Sequence, residues 1–238
     1  MTKVAGLIFA DSMEYSPFLL WAKEKGGIES VRHGNESVEF TFTEGENTLK
    51  VVGVKCGIGK SNAASATAFL IADDKADFIL NAGLSGAIQG LRREDMVAGT
   101  TYIECDFDLT AVGNALGQKA DGQKYLYEAD AKLLAYALES EGIKKAKCGT
   151  GDIFLADPVK KELYKNTFGI ESFDMETGAI AAVCDKCGVP MLSLRKISDD
   201  AGDTACEAYR EMNKRQEACL TELVANILAR YLSDKENF

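Results

Sequence analysis

One histidine, one tryptophan and three prolines stand among 238 residues, and no basic stripe offsets a formal net charge of −10. A lone histidine, His33, leaves no material for a histidine-based triad or a histidine-rich metal site, so acid–base chemistry falls mainly to carboxylates. It lies in a turn, Arg32 to Asn35, between two strand-like runs, where an exposed loop residue is expected. Nucleic acid and anionic membrane surfaces are both polyanions, and the excess of acid disfavours either as a partner. A small-molecule ligand is expected instead. No apolar stretch approaches membrane-spanning length. The apolar run at the start of the chain stops at Asp11 and lacks a small-residue cleavage pattern, so it reads as a first strand rather than a signal peptide.

The seven cysteines, an odd number, are scattered at Cys56, Cys105, Cys148, Cys184, Cys187, Cys206 and Cys219. They make no disulfide framework and fit a reducing cytoplasm. Cys184 and Cys187 are spaced like a metal or redox pair, but with no second pair a structural role in a helix is expected. Neither a metal nor a cofactor is called for.

Hydrophobic residues make up 46% of the chain and charged residues 27%, as in an ordinary globular protein. Length suits one large domain spanning residues 1–238, with no internal repeat or low-complexity linker. Buried strands are expected at Val4 to Phe9, Phe78 to Asn81, Met96 to Ile103, Lys147 to Gly151 and from Met191. Helices are expected near Ser16 to Lys25, Asn62 to Ala72, Ala129 to Glu141, Asp157 to Tyr164 and Asp174 to Cys187. Ser37 to Phe42 and Leu49 to Val54 alternate like a hairpin. From Cys206, helical spacing through Leu220, Leu223, Val224, Ile227, Leu228 and Tyr231 predicts one long closing helix. Strands alternating with helices give an α/β fold with a mixed, mostly parallel central sheet flanked by helices.

Two acidic clusters carry the chemistry. Glu176 is placed by pattern in the first turn of a small-residue helix, where its dipole favours an anion. The strand from Met191 delivers Ser198, Asp199 and Asp200 at its C-terminal end, where open α/β sheets bind ligands. Gly57, Ile58, Gly59, Lys60 and Ser61 invite a phosphate-loop reading, but the spacing fits neither a triphosphate nor a dinucleotide motif. A plain strand-to-helix turn is expected. Ala82 to Ala87 reads as a second glycine turn, able to wrap a planar base with backbone groups.

Taken in order, Gly6 to Ala10 with Glu14, Gly57 to Lys60, Asn81 to Gly86, Asp106 to Ala111, Gly151 to Phe154, Met175 with Glu176, and Arg195 to Asp199 resemble the nucleoside phosphorylase/nucleosidase superfamily. Within it the resemblance is closest to the 5′-methylthioadenosine/S-adenosylhomocysteine nucleosidases. It implies hydrolysis of an adenine nucleoside to adenine and a thioribose, with nucleoside and water as partners, no cofactor, and a homodimer. It also implies that Asp199 protonates the purine with support from Ser198, that Glu176 beside Asp174 and Met175 holds the ribose hydroxyls, and that Glu14 and Arg195 position the attacking water. Phe154 and Leu155 would face the base, Ser85 and Gly86 would bind the substrate at the base or the water, and Ile58 would line the ribose or alkylthio pocket. Phosphorylases of the superfamily hold phosphate with arginines where this chain has Asp11 to Glu14 and Asn81, so water is expected as the nucleophile. Leu84 stands where the family has serine, and Cys105 where it has histidine. Another purine or pyrimidine nucleoside, including a futalosine-type compound, and a non-catalytic nucleoside binder are the alternatives.

Overall fold

A computed structural model describes residues 2–215 and 220–237. Ten strands run in the order β1 (Lys3–Phe9), β2 (Ile28–Arg32), β3 (Asn35–Glu44), β4 (Asn47–Lys55), β5 (Phe78–Ala87), β6 (Met96–Glu104), β7 (Leu126–Glu128), β8 (Ile143–Thr150), β9 (Ser172–Asp174) and β10 (Met191–Asp199). Between and after them lie α1 (Ser12–Glu24), α2 (Lys60–Ala72), α3 (Ala131–Leu138), α4 (Pro158–Phe168), α5 (Thr177–Cys187), α6 (Ala205–Arg215) and α7 (Thr221–Ser233). Five of the ten strand pairings are parallel and five antiparallel. The early hairpin accounts for only part of the antiparallel share. Antiparallel contacts of β10 with β6 and of β9 with β5 close β5, β10, β6, β8 and β9 into a ring. Strands β1, β4, β3 and β2 extend from it as an open sheet, and β7 pairs with β6 outside the ring.

Helices cover both faces. Phe18, Leu133, Val224, Ile227 and Leu228, from α1, α3 and α7, pack on Leu7, Val51, Leu80 and Leu192. Ala66, Leu70, Ile180 and Cys184, from α2 and α5, pack on Ile8, Val52 and Ile79 on the other side. No helix among the described residues is long and apolar enough to cross a membrane.

Four departures from the sequence expectations have clear causes. Asp11 starts α1 a turn early, its Oδ1 accepting from the Met13 and Glu14 N–H groups at 2.8 and 3.1 Å. The supposed turn from Ala82 to Ala87 is the second half of β5. Gly83 and Gly86 are there for space: a Cβ on Gly83 would strike Arg195 and Glu14, and one on Gly86 would lie 2.8 Å from Asp199 Oδ1. Glu176 is the residue before α5 rather than part of its first turn. Lastly, the expected long closing helix is divided, because Leu220 is outside helical structure and stands at the N-cap of α7. The stretch 216–219, including Cys219, lies outside the described residues.

Of the described cysteines, Cys56, Cys105, Cys148 and Cys184 are buried as free thiols. Cys184 faces the core and Cys187 is exposed, so the two thiols of that pair occupy different surroundings. His33 is exposed, stacked on Phe69 and paired with Asp73 at 2.7 Å.

Candidate active site

Strands β4, β1, β5 and β10 are consecutive neighbours and mutually parallel, so their C-terminal ends share one edge of the sheet. The segments leaving those ends enclose a cleft of about 340 Å³. Glu14, Ile58, Ser85, Gly86, Phe154 and Leu155 line it. So do Asp174, Met175, Glu176, Ser198 and Asp199. Every sequence-predicted site residue except Arg195 therefore reaches the cavity wall.

Glu14 enters from the first turn of α1. Its Oε2 accepts from Ala10 N–H at 2.8 Å and its Oε1 from Leu84 N–H at 2.7 Å, pinning it between β1 and β5. Burial, reinforced by the Asp11 charge and opposed by Arg195 and these two amides, pushes its pKa up to about 7. Glu176 is fixed from elsewhere. Asp174 Oδ1 accepts from the Glu176 and Thr177 N–H groups, at 3.0 and 2.9 Å, and so takes the capping task at α5. The Glu176 side chain is thereby released to accept from Gly59 N–H at 2.9 Å. Gly59 has φ +99°, in the region favouring glycine, which is why this turn needs it. Burial, partly offset by Arg195, raises Glu176 to about 8, with Asp174 and Glu14 adding to the rise.

Arg195 sits behind these acids. It is fully buried, with Nε 3.2 Å from Asp174 Oδ2 and 3.1 Å from Ser193 Oγ, and Nη2 donating to Thr177 Oγ1 at 2.6 Å and to Asn81 Oδ1. Arg195, expected to help Glu14 position the attacking water, does not line the cleft; its guanidinium engages internal partners and holds the acid-bearing segments together. One cation among three buried carboxyl groups cannot neutralise them all, and proton uptake near neutral pH follows.

Asp199, 3% exposed, closes β10. Its Oδ2 accepts from Ser198 Oγ at 2.6 Å and its Oδ1 from Ala201 N–H at 2.8 Å. Burial raises its pKa against the lowering effect of these two bonds. Nearby, Ser85 Oγ is buried with no hydrogen-bond partner among the described residues. Such a hydroxyl costs about 1–3 kcal/mol unless a ligand or water satisfies it.

Apolar surface completes the walls. Phe154 packs edge-on against Tyr209 of α6 with ring centroids 5.4 Å apart, and Phe173, Leu155, Ile153 and Leu84 fill the intervals. The phosphate-loop reading of Lys60 fails on geometry, since its ammonium is engaged by Asp106 at 2.7 Å and Glu104 at 3.3 Å. Among the described residues no lysine or arginine lines the cleft, and no group of three or more His, Cys, Asp or Glu side chains is arranged to hold a metal.

Tyr209, Phe173 and the network of Asn81, Thr177 and Ser193 were missed by sequence reasoning. Polar residues set inside otherwise buried runs were the available signal for Asn81 and Ser193. Tyr209 left none, because its polar helix resembles a solvated one.

A mixed-sheet α/β fold with paired carboxyls in an apolar cleft suits acid–base chemistry on a small molecule, and comparison places the family. The chain belongs to the phosphorylase superfamily, matching it over residues 5–233. It is 33% identical over 215 residues to the 5′-methylthioadenosine/S-adenosylhomocysteine nucleosidase of Bacillus subtilis strain 168, covering 87% of this chain and 90% of that one. The Neisseria meningitidis nucleosidase of the same name, solved with methylthio-immucillin-A, is 28% identical with a TM-score of 0.85, covering 96% of this chain and 99% of that one. The Helicobacter pylori nucleosidase, solved with butyl-thio-DADMe-Immucillin-A, shares the fold at 23% identity and a TM-score of 0.89, covering 97% and 99%.

Proposed function

We propose that this protein hydrolyses the N-glycosidic bond of 5′-methylthioadenosine and S-adenosylhomocysteine, releasing adenine and the thioribose. The observation that carries the reading is the placement of Asp199 and of Glu14 with Glu176 on one apolar cleft, each with its pKa raised by burial. The relatives' names supply the substrate.

In this reading Asp199, protonated, donates its proton to a purine ring nitrogen as the bond to the sugar breaks and its electron pair moves onto the base. Ser198 holds the acid in place. Positive charge builds on the ribosyl carbon, and nearby carboxyl groups stabilise it. Glu176 takes the ribose hydroxyls. Glu14, with a pKa near 7, accepts a proton from water as its oxygen bonds to the sugar. The cycle closes when Glu14 loses and Asp199 regains a proton through solvent. Phe154 and Leu155 offer the base an apolar wall, and the unpartnered Ser85 hydroxyl offers it or the water a hydrogen bond.

Water is favoured over phosphate as the nucleophile because the cleft is lined by acids without a cationic side chain. A cytoplasmic location, consistent with the buried free thiols, and a homodimer belong to the same proposal. Asp199→Asn keeps the shape of the acid and removes its proton. Adenine release from methylthioadenosine should fall by roughly a hundred- to ten-thousand-fold with the fold intact. Turnover at the normal rate in that variant would contradict the assignment. Sedimentation should give a mass near twice the 25.7 kDa chain, and a monomer at working concentration would exclude the dimer.

A further inference from the structure

The end of the cleft remote from Asp199 carries a feature that cleavage of the glycosidic bond does not use. Asp11 and Tyr209 both line the cleft, and the Tyr209 hydroxyl donates to Asp11 Oδ2 at 3.1 Å. Sheet order fixes the position of Asp11, with β10 and Asp199 on one side of β5 and β1 with Asp11 and β4 with the Ile58 turn on the other, and the hydrogen bond brings Tyr209 to it from α6. Depth agrees. Asp199 is 3% exposed, whereas Asp11 and Tyr209 are half-buried and Ile58 and Phe154 beside them are 53% and 44% exposed, which sets the pair nearer the mouth. A nucleoside with its base at Asp199 and its ribose between Glu14 and Glu176 extends its 5′ group toward this pair.

The mouth is otherwise apolar, formed by Ile58, Phe154, Leu84 and the ring of Tyr209. A methylthio group needs no carboxylate there. Asp11 Oδ1 is occupied by two backbone N–H groups of α1, which leaves Oδ2, bonded among the described residues to Tyr209, as the oxygen able to receive a further donor. Resting on the function proposed above, we infer that Asp11 and Tyr209 select nucleosides whose 5′-thioether bears a protonated amine, the homocysteinyl group of S-adenosylhomocysteine, over those with a plain alkylthio group. A carboxylate and an ammonium form a charge-assisted hydrogen bond, and the phenol supplies a second polar atom.

The test compares kcat/KM for S-adenosylhomocysteine and its N-acetyl derivative, which lacks the ammonium, in the wild-type protein and in Asp11→Asn. Asparagine is as good a helix cap as aspartate, so α1 is kept while the charge is removed. Wild type should prefer the free amine by roughly tenfold, the effect of one partly exposed charged contact. The preference should collapse in Asp11→Asn and shrink in Tyr209→Phe. Equal cleavage of the two compounds by wild type, or a preference undiminished in Asp11→Asn, would overturn the inference. Calorimetric binding of the same two compounds to Asp199→Asn reads the preference without turnover. Failure to release adenine from any nucleoside therefore counts against the hydrolase reading alone, and equal affinities count against the selection.

Discussion

Glu14, Glu176 and Asp174 share the single guanidinium of Arg195 in a space from which water is largely excluded. The first two consequently hold protons at pH values where free glutamates do not, about 7 and about 8 against an ordinary 4.5. Between pH 4.5 and these values the folded chain binds more protons than the unfolded one, so this pair makes stability fall as pH rises through that window. Urea midpoints at pH 5 and pH 8 should show that fall, and Glu14→Gln should reduce it; an unchanged slope in the variant would contradict the burial argument. Asp11 helps to raise Glu14. In Asp11→Asn the acid limb of the kcat/KM profile should therefore move to lower pH with any substrate. Arg195→Met leaves Asp174 buried without its ionic partner, and the expected loss is about 3–5 kcal/mol, measured by denaturant unfolding. Ser85→Ala is the opposite case. No protein group loses a partner, so stability should stay within about 0.5 kcal/mol while kcat/KM falls.

At the scale of elements, β5 shows why local reading succeeds in some places and fails in others. The end of β10 delivering Asp199 and the Gly57–Gly59 turn were legible because each depends on neighbours within a few residues, whereas the early start of α1 that takes in Glu14 was not. Gly83 and Gly86 were not, since glycines in a short run resemble a turn. Here their requirement comes from Arg195, Glu14 and Asp199, which pack over the strand from distant parts of the chain. Glu176 was displaced for a similar reason, as Asp174 took the helix cap and freed it to reach Gly59. The Asp11–Tyr209 bond joins residues 198 apart and has no sequence signature. Gly83→Ala should therefore disturb the acid cluster, whose backbone and buried guanidinium have little room to move. A loss of activity together with a lower unfolding midpoint is expected, and a variant as active as wild type would refute the close-packing account.

For the molecule as a whole, the parallel strands β4, β1, β5 and β10 do the work of bringing remote segments to one edge. Closure of β10 onto β6 and of β5 onto β9 sets a second group of strands against that edge, and β9 ends on Asp174, two residues before Glu176. The α/β class and the mixed sheet followed from alternating strands and helices. The ring did not, because it depends on pairings between strands far apart in sequence. This architecture is shared by phosphorylases and nucleosidases alike, so the fold alone does not choose the nucleophile. The acidic lining of the cleft, without a cationic side chain among the described residues, favours water. The most direct measurement is the stoichiometry of products from methylthioadenosine in phosphate-free buffer. Adenine and a free reducing thioribose should form in equal amounts, at a rate that added phosphate leaves unchanged. Adenine formed only when phosphate is supplied, with a sugar 1-phosphate as co-product, would contradict the account.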